Sequence, residues 1–185
     1  AIRTDNGTPF VGHGLSGLST LSVWWIKLGI RHQRIEKGRP EQNGRHERMH
    51  RTLARETTRP PEPSFEQQQS RFDLFRSDFN VERPHEALDQ QTPASCYQCS
   101  ARAYPERIAA PEYPGYYERR KVDCQGQFKF RGLTLFIAHP MAGETLGLVE
   151  IDDDLWSVRF YDQEIGRITP RDGNFFIKVS PMSPV

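Results

Sequence analysis

Two acidic residues, Asp5 and Glu47, stand in settings that could put them to chemical use. Asp5 lies in Arg3-Thr4-Asp5-Asn6-Gly7-Thr8-Pro9-Phe10, at the end of a short strand-like stretch and just before a glycine turn. Glu47 lies in Glu41-Gln42-Asn43-Gly44-Arg45-His46-Glu47-Arg48-Met49-His50-Arg51-Thr52-Leu53, which reads as the start of a helix. Pro40 suits a first turn or the end of the preceding loop, and Asn43 is a good N-cap. A carboxylate on a strand end and another on a helix can together hold a divalent cation, because hard ions take oxygen ligands. Arg45, Arg48, Arg51 and Arg55 surround Glu47 with few acids, which suits a polyanion. The competing reading is an ordinary solvated helix, in which Arg51 pairs with Glu47 one turn away. Cys96-Tyr97-Gln98-Cys99 has the spacing of half a zinc site, but only Cys124 and scattered histidines could complete it, so structural thiols are favoured. The six histidines show no metal-like spacing and are given no catalytic role.

Taken in order, these segments resemble the integrase-type DDE transposases of bacterial insertion sequences, relatives of retroviral integrases. Thr4-Asp5-Asn6-Gly7 with Phe10 is similar to the family's second acidic segment. Pro40-Glu41-Gln42-Asn43-Gly44-Arg45-His46-Glu47-Arg48 with His50-Arg51-Thr52-Leu53 is similar to the third. Phe79-Asn80-Val81-Glu82-Arg83-Pro84-His85-Glu86-Ala87-Leu88 and Thr92-Pro93-Ala94 look like the segment that closes the catalytic domain. The resemblance implies an α/β ribonuclease H-like catalytic domain, present here as its C-terminal portion. It implies metal-dependent phosphodiester cleavage and strand transfer in DNA transposition, with Asp5 and Glu47 as catalytic residues and metal ligands. The implied cofactor is Mg2+ or Mn2+, two ions in the complete enzyme. The implied partner is double-stranded DNA, both element ends and target, bound by a homo-oligomer in the bacterial cytoplasm at the nucleoid. Cleavage needs an activated oxygen nucleophile and a stabilised leaving oxygen, and a pair of ions about 3.5–4 Å apart supplies both.

The family's first carboxylate sits on an earlier strand, and no residue before Asp5 supplies it. The expectation is therefore the C-terminal part of a longer transposase, inactive by itself. Between the two acids of the third segment, Glu47 is preferred. Thirty-five residues separate Asp5 from Glu41 and forty-one separate it from Glu47. The shorter count is close to the retroviral pattern, but Asn43-Gly44 before Glu47 and Arg48 after it carry the local motif. Lys37, Arg39, Asn43, Arg48, Arg51 and Arg55 are the candidate DNA-binding residues. A second reading, from another class, is a non-catalytic DNA-binding or assembly module in which Asp5 and Glu47 are incidental.

Composition fits a nucleic-acid partner only locally. The net charge of the 185 residues is +1, yet Lys27 to Arg59 holds ten Lys/Arg against four Glu. From Tyr104 onward ten Lys/Arg face twelve Asp/Glu. Three cysteines argue against a disulfide framework, and no apolar run is long enough for a membrane span or signal sequence. A reducing, cytoplasmic setting is expected.

Several elements must position these residues. Ala1 to Thr4 reads as a strand, Pro9 to Ser19 as a glycine-rich loop, and Thr20 to Leu28 as a helix with Leu21, Trp24, Trp25 and Leu28 on its inner face. Ile30 to Ile35 reads as a strand and Glu36 to Pro40 as a charged loop. The Glu47 helix is expected from Asn43 to Thr58, ended by Arg59-Pro60-Pro61. Ser64 and Gln67 form a capping box for a second helix with Phe65, Phe72, Phe75 and Phe79 on its apolar face. Thr92-Pro93 opens another helix. After Tyr104, prolines and Gly115 suggest a linker, and the pattern then changes to period two. Strands are expected at Tyr116–Val122, Gln127–Phe130, Leu133–Ala138, Thr145–Ile151, Leu155–Tyr161 and Glu164–Ile168, with a last one at Phe175–Val179 and a frayed tail. The expected architecture is residues 1–103 as part of an integrase-like core, 104–115 as linker, and 116–185 as a small all-β barrel.

Overall fold

A short parallel pair opens the chain. Strand β1 (Ile2–Thr4) runs beside β2 (His32–Arg34), with Thr4 opposite Arg34. Parallel neighbours need a crossover, and helix α1 (Thr20–Lys27) supplies it. Ser19 caps α1: its hydroxyl accepts from the Ser22 N–H while the Ser22 hydroxyl accepts from the Ser19 N–H. The computed structural model describes residues 1–12, 16–170 and 174–176. Contacts divide the protein into two units, Ala1–Gln42 with Glu106–Val185 and Asn43–Pro105.

In the first unit, α1 buries Val23, Trp25 and Ile26, whereas Trp24 faces outward at 39% exposure. The inner face therefore lies one position from the expected one. Val23 and Ile26 join a core with Phe128, Phe130, Ile137, Met141, Leu146, Leu148, Val158 and Phe160. Those residues come from the period-two region, whose strands are β3 (Glu118–Lys121), β4 (Gln127–Phe130), β5 (Leu133–Phe136), β6 (Thr145–Asp152), β7 (Leu155–Phe160), β8 (Gln163–Thr169) and β9 (Asn174–Phe176). They form an antiparallel sheet in the order β3-β6-β7-β8-β9 and a separate β4–β5 hairpin.

No closed barrel forms among the described residues, contrary to the expectation. A barrel needs its two edge strands bonded to each other, and here β3 and β9 are opposite edges of one open sheet. The apolar surface is covered instead by the hairpin and α1. Tight turns fix the register: Arg131 and Gly132 both have positive φ in the two-residue β4–β5 turn, as a primed turn requires. The expected last strand at Phe175–Val179 overlaps β9, and the tail from residue 177 lies outside the described residues.

The second unit holds α2 (Gly44–Thr57), α3 (Phe65–Ser77), a π-helical turn (Asp78–Glu82), a 3-10 turn (Glu86–Leu88) and α4 (Pro93–Cys96). The Ser64 hydroxyl accepts from the Gln67 N–H, but the expected reciprocal bond is not formed among the described residues. Next to it, the Gln68 amide accepts from the Glu62 N–H and donates to Thr57 O, which ties the two helices. Met49 and Leu53 of α2 meet Phe72, Phe75 and Phe79 around a groove of about 500 Å³. Phe65, expected on that face, is 78% exposed.

Candidate functional site

Asp5 follows β1 directly, and its neighbours hold its backbone in place. The buried Thr4 hydroxyl donates to Asp5 O at 2.9 Å and meets His32 Nε2 at 2.8 Å. The Asn6 amide donates to Ile35 O at 2.9 Å, and the Ile35 N–H donates to Thr4 O, extending the pairing with β2. Burial, and secondarily Arg34, lowers the His32 pKa, which favours the neutral imidazole beside Thr4. The Asp5 carboxylate is exposed. Its Oδ1 accepts from the Gly7 N–H at 2.8 Å, a turn that Gly7 suits because a Cβ there would stand 3.1 Å from the same oxygen.

Glu47 sits in the first turn of α2, exposed, with no hydrogen bond or ion pair among the described residues. The Arg51–Glu47 ion pair that the structural reading called for is not formed. Glu47, Arg51 and Arg55 follow one another at four-residue steps, so they share a face, and Arg48 joins Arg51 and Arg55 at three- and seven-residue spacing. Arg48 and Arg51 have no side-chain partner among the described residues, and Arg55 touches Glu56 at 3.3 Å. The negative first turn is favourable because the N-terminal end of a helix carries partial positive charge. Asn43 occupies the N-cap position without a side-chain capping bond, so its amide is free for another partner.

The loop before α2 is held by a local hydrogen bond and one surface ion pair. Gln42 Oε1 accepts from the Glu36 N–H at 2.8 Å, and a 3-10 turn covers Pro40–Asn43. Arg39 pairs with Glu36 at 2.9 Å on the surface, while Lys37 stands exposed without a partner among the described residues. Asp5, Lys37 and Arg39 thus belong to the first unit, and Asn43, Glu47, Arg48, Arg51 and Arg55 to the second. Among the described residues, no three His, Cys, Asp or Glu side chains converge as a metal site. Cys96, Cys99 and Cys124 are exposed free thiols.

Two groupings were invisible in the sequence reading. Arg83 donates to Glu56 at 2.9 Å and to Asp78, and its guanidinium lies 5.8 Å from the ring centres of both Phe75 and Phe79. It ties the end of α2 to the π-helical turn. The other grouping is His46 with His50, whose Nε2 atoms lie 3.0 Å apart on α2. The sequence reading found no metal-like spacing among the histidines, yet these two stand four residues apart, which puts two imidazoles on one helix face.

No helix among the described residues is long and apolar enough to cross a membrane. An integrase core domain is a ribonuclease H-like fold that generally uses divalent metal ions. Residues 28–93 match the family model of the integrase core domain, and this stretch, which carries β2, Glu47 and Arg83, is accordingly similar to an integrase-type core.

Proposed function

We propose that the protein takes part in DNA transposition by metal-dependent phosphodiester cleavage and strand transfer, as a DDE-type polynucleotidyl transferase of a bacterial insertion sequence. The observation that carries this reading is the exposed, unpaired Glu47 in the first turn of an arginine-bearing helix within the integrase-core match. Asp5 and Glu47 fit hard-ion ligation by type, since both are exposed carboxylates with oxygens left free. Mg2+ or Mn2+ bound there would activate the attacking oxygen and offset charge on the leaving oxygen. Glu47 and Asp5 bind and orient; Lys37, Arg39, Asn43, Arg48, Arg51 and Arg55 hold phosphates of element ends and target. Such contacts set register and salt-dependent affinity rather than sequence preference. A homo-oligomer on the two element ends completes the proposed assembly.

The test is strand cleavage and joining on a labelled element end with Mg2+ or Mn2+, in a protein that carries the family's full set of carboxylates. Asp5→Asn or Glu47→Gln should abolish cleavage and joining while binding persists. Arg51→Ala should weaken binding evenly across sequences and lower the salt slope by about 1. Cleavage that survives Glu47→Gln but not Glu41→Gln would move the metal-binding role to Glu41.

A further inference from the structure

We propose that His46 and His50 form a chelating site for a borderline divalent transition-metal ion: Zn2+, Ni2+ or Cu2+. The inference stands on the geometry of α2 and does not depend on the integrase reading. His46-Glu47-Arg48-Met49-His50 places two imidazoles one helical turn apart, so both rings stand on one face. That face lies between the apolar stripe of Met49 and Leu53 and the ridge that begins at Glu47. Both rings are exposed; their centroids are 4.3 Å apart at an interplanar angle of 78°, and their Nε2 atoms meet at 3.0 Å.

That separation suits two nitrogens on one ion. With metal–nitrogen bonds of about 2.0–2.1 Å, two ligands stand about 2.9 Å apart at a right angle and about 3.3 Å apart at the tetrahedral angle. The observed distance falls between these, so no backbone movement is needed. A hydrogen bond between the two Nε2 atoms requires one to carry a proton and the other to offer its lone pair. On metal binding that proton resides on Nδ1 of the same ring, and both Nε2 lone pairs turn to the cation. Imidazole ligands favour this class of ion, with Cu2+ bound more tightly than Ni2+ or Zn2+, and discriminate against Mg2+.

The surroundings neither complete the site nor forbid it. No third His, Cys, Asp or Glu converges among the described residues, so water fills the remaining positions. Two protein ligands are fewer than the three of a catalytic zinc centre, which makes this a binding site and not a hydrolase. Arg45, Arg48 and Arg51 oppose a dication, but their exposed charges are screened, and Glu47 lies three residues from His50 with its carboxylate unpaired.

The test is calorimetric titration of the full chain with NiCl2. Single-site binding is expected in the unaltered protein and in the Cys96→Ser/Cys99→Ser variant. His46→Ala, His46→Gln and His50→Ala should each weaken it by at least about tenfold, since even outer partners of metal ligands are worth 10–100-fold. Alanine favours an exposed helix, and circular dichroism confirms that the variants fold. Ni2+ binding and strand cleavage are separate readouts, so failure here is distinguishable from failure of the proposed carboxylate site. Absence of Ni2+ binding, binding unchanged in the histidine variants, or binding lost in the cysteine variant would overturn the proposal.

Discussion

Gly147 in β6 has no room for a side chain. A Cβ there would lie 2.3 Å from the Tyr113 ring, which packs flat over the strand. The Tyr113 hydroxyl donates to Thr145 O at 2.9 Å and accepts from the Tyr161 N–H at 3.3 Å, and burial pushes its pKa up to about 12. Gly147→Ala must therefore displace Tyr113 or bend β6, an overpacking cost of about 1–3 kcal/mol. Tyr113→Phe keeps the ring and loses about 1 kcal/mol of hydrogen bonding. Urea unfolding should rank the three proteins in that order, with Gly147→Ala lowest. An unshifted midpoint for Gly147→Ala would mean that Tyr113 does not hold its segment to the sheet. Neither residue was legible in the sequence: a glycine inside an alternating strand signals a close approach without naming the neighbour. Tyr113 sits among Pro111, Pro114 and Gly115, whose composition speaks of chain stiffness and says nothing of docking. Asp5 and Glu47 were legible because turn and helix-start residues flank them, and those local signals place a side chain on an element.

Between α2, α3 and the π-helical turn, two arginines add polar fastening to the apolar contacts of Met49 and Leu53 with the phenylalanines. Arg83 bridges Glu56 and Asp78, and Arg71 donates to Glu56 O, Pro60 O and Glu62. The hydrogen bond from Arg83 holds the Glu56 carboxylate below the usual range. A depressed folded-state pKa contributes stability that is fully present above the unfolded value, about 4.3, and is lost as pH falls through the lower folded value. The groups are partly exposed, so solvent screening limits the effect to about 1 kcal/mol. Urea midpoints measured from pH 6 down to pH 3 should fall more steeply for the unaltered protein than for Glu56→Gln. Parallel falls would remove Glu56 from the acid response. The helices and strands themselves were readable to within a few residues, because the repeat of apolar positions follows backbone period. Their orientation was less so. Trp24 and Phe65 fit an apolar face by spacing, but packing buried Val23 and Ile26 in place of Trp24 and left Phe65 outside the face that Phe72, Phe75 and Phe79 form as expected. Period two likewise identifies a strand's two faces without saying which strands pair, and the expected barrel was an open sheet for that reason.

Across the whole molecule, residues distant in sequence share one core, and periodicity carries no trace of such sharing. Val23 and Ile26 pack with the β4–β8 core, Lys27 pairs with Glu144 at 2.7 Å, and Gln163 donates to Ile30 O. Read from sequence, the proposed division is 1–103, linker 104–115 and 116–185, whereas these contacts join residues 1–42 to the sheet. Proteolysis discriminates between the two. Residues 97–107 are exposed and carry no regular structure, and they include Arg102 and Arg107. Beyond them the chain is tied down: Ala109 O accepts from the Tyr161 hydroxyl at 2.6 Å, and Tyr113 is buried. Trypsin should therefore cut at Arg102 or Arg107 before it cuts within residues 109–170. On a native sizing column, the clipped protein should elute as one particle, because the N-terminal piece contributes Val23 and Ile26 to the core of the C-terminal piece. The pieces should separate only in denaturant. A C-terminal piece that elutes alone, still folded by its near-ultraviolet dichroism, would show that the sheet stands without α1 and that the tripartite division holds.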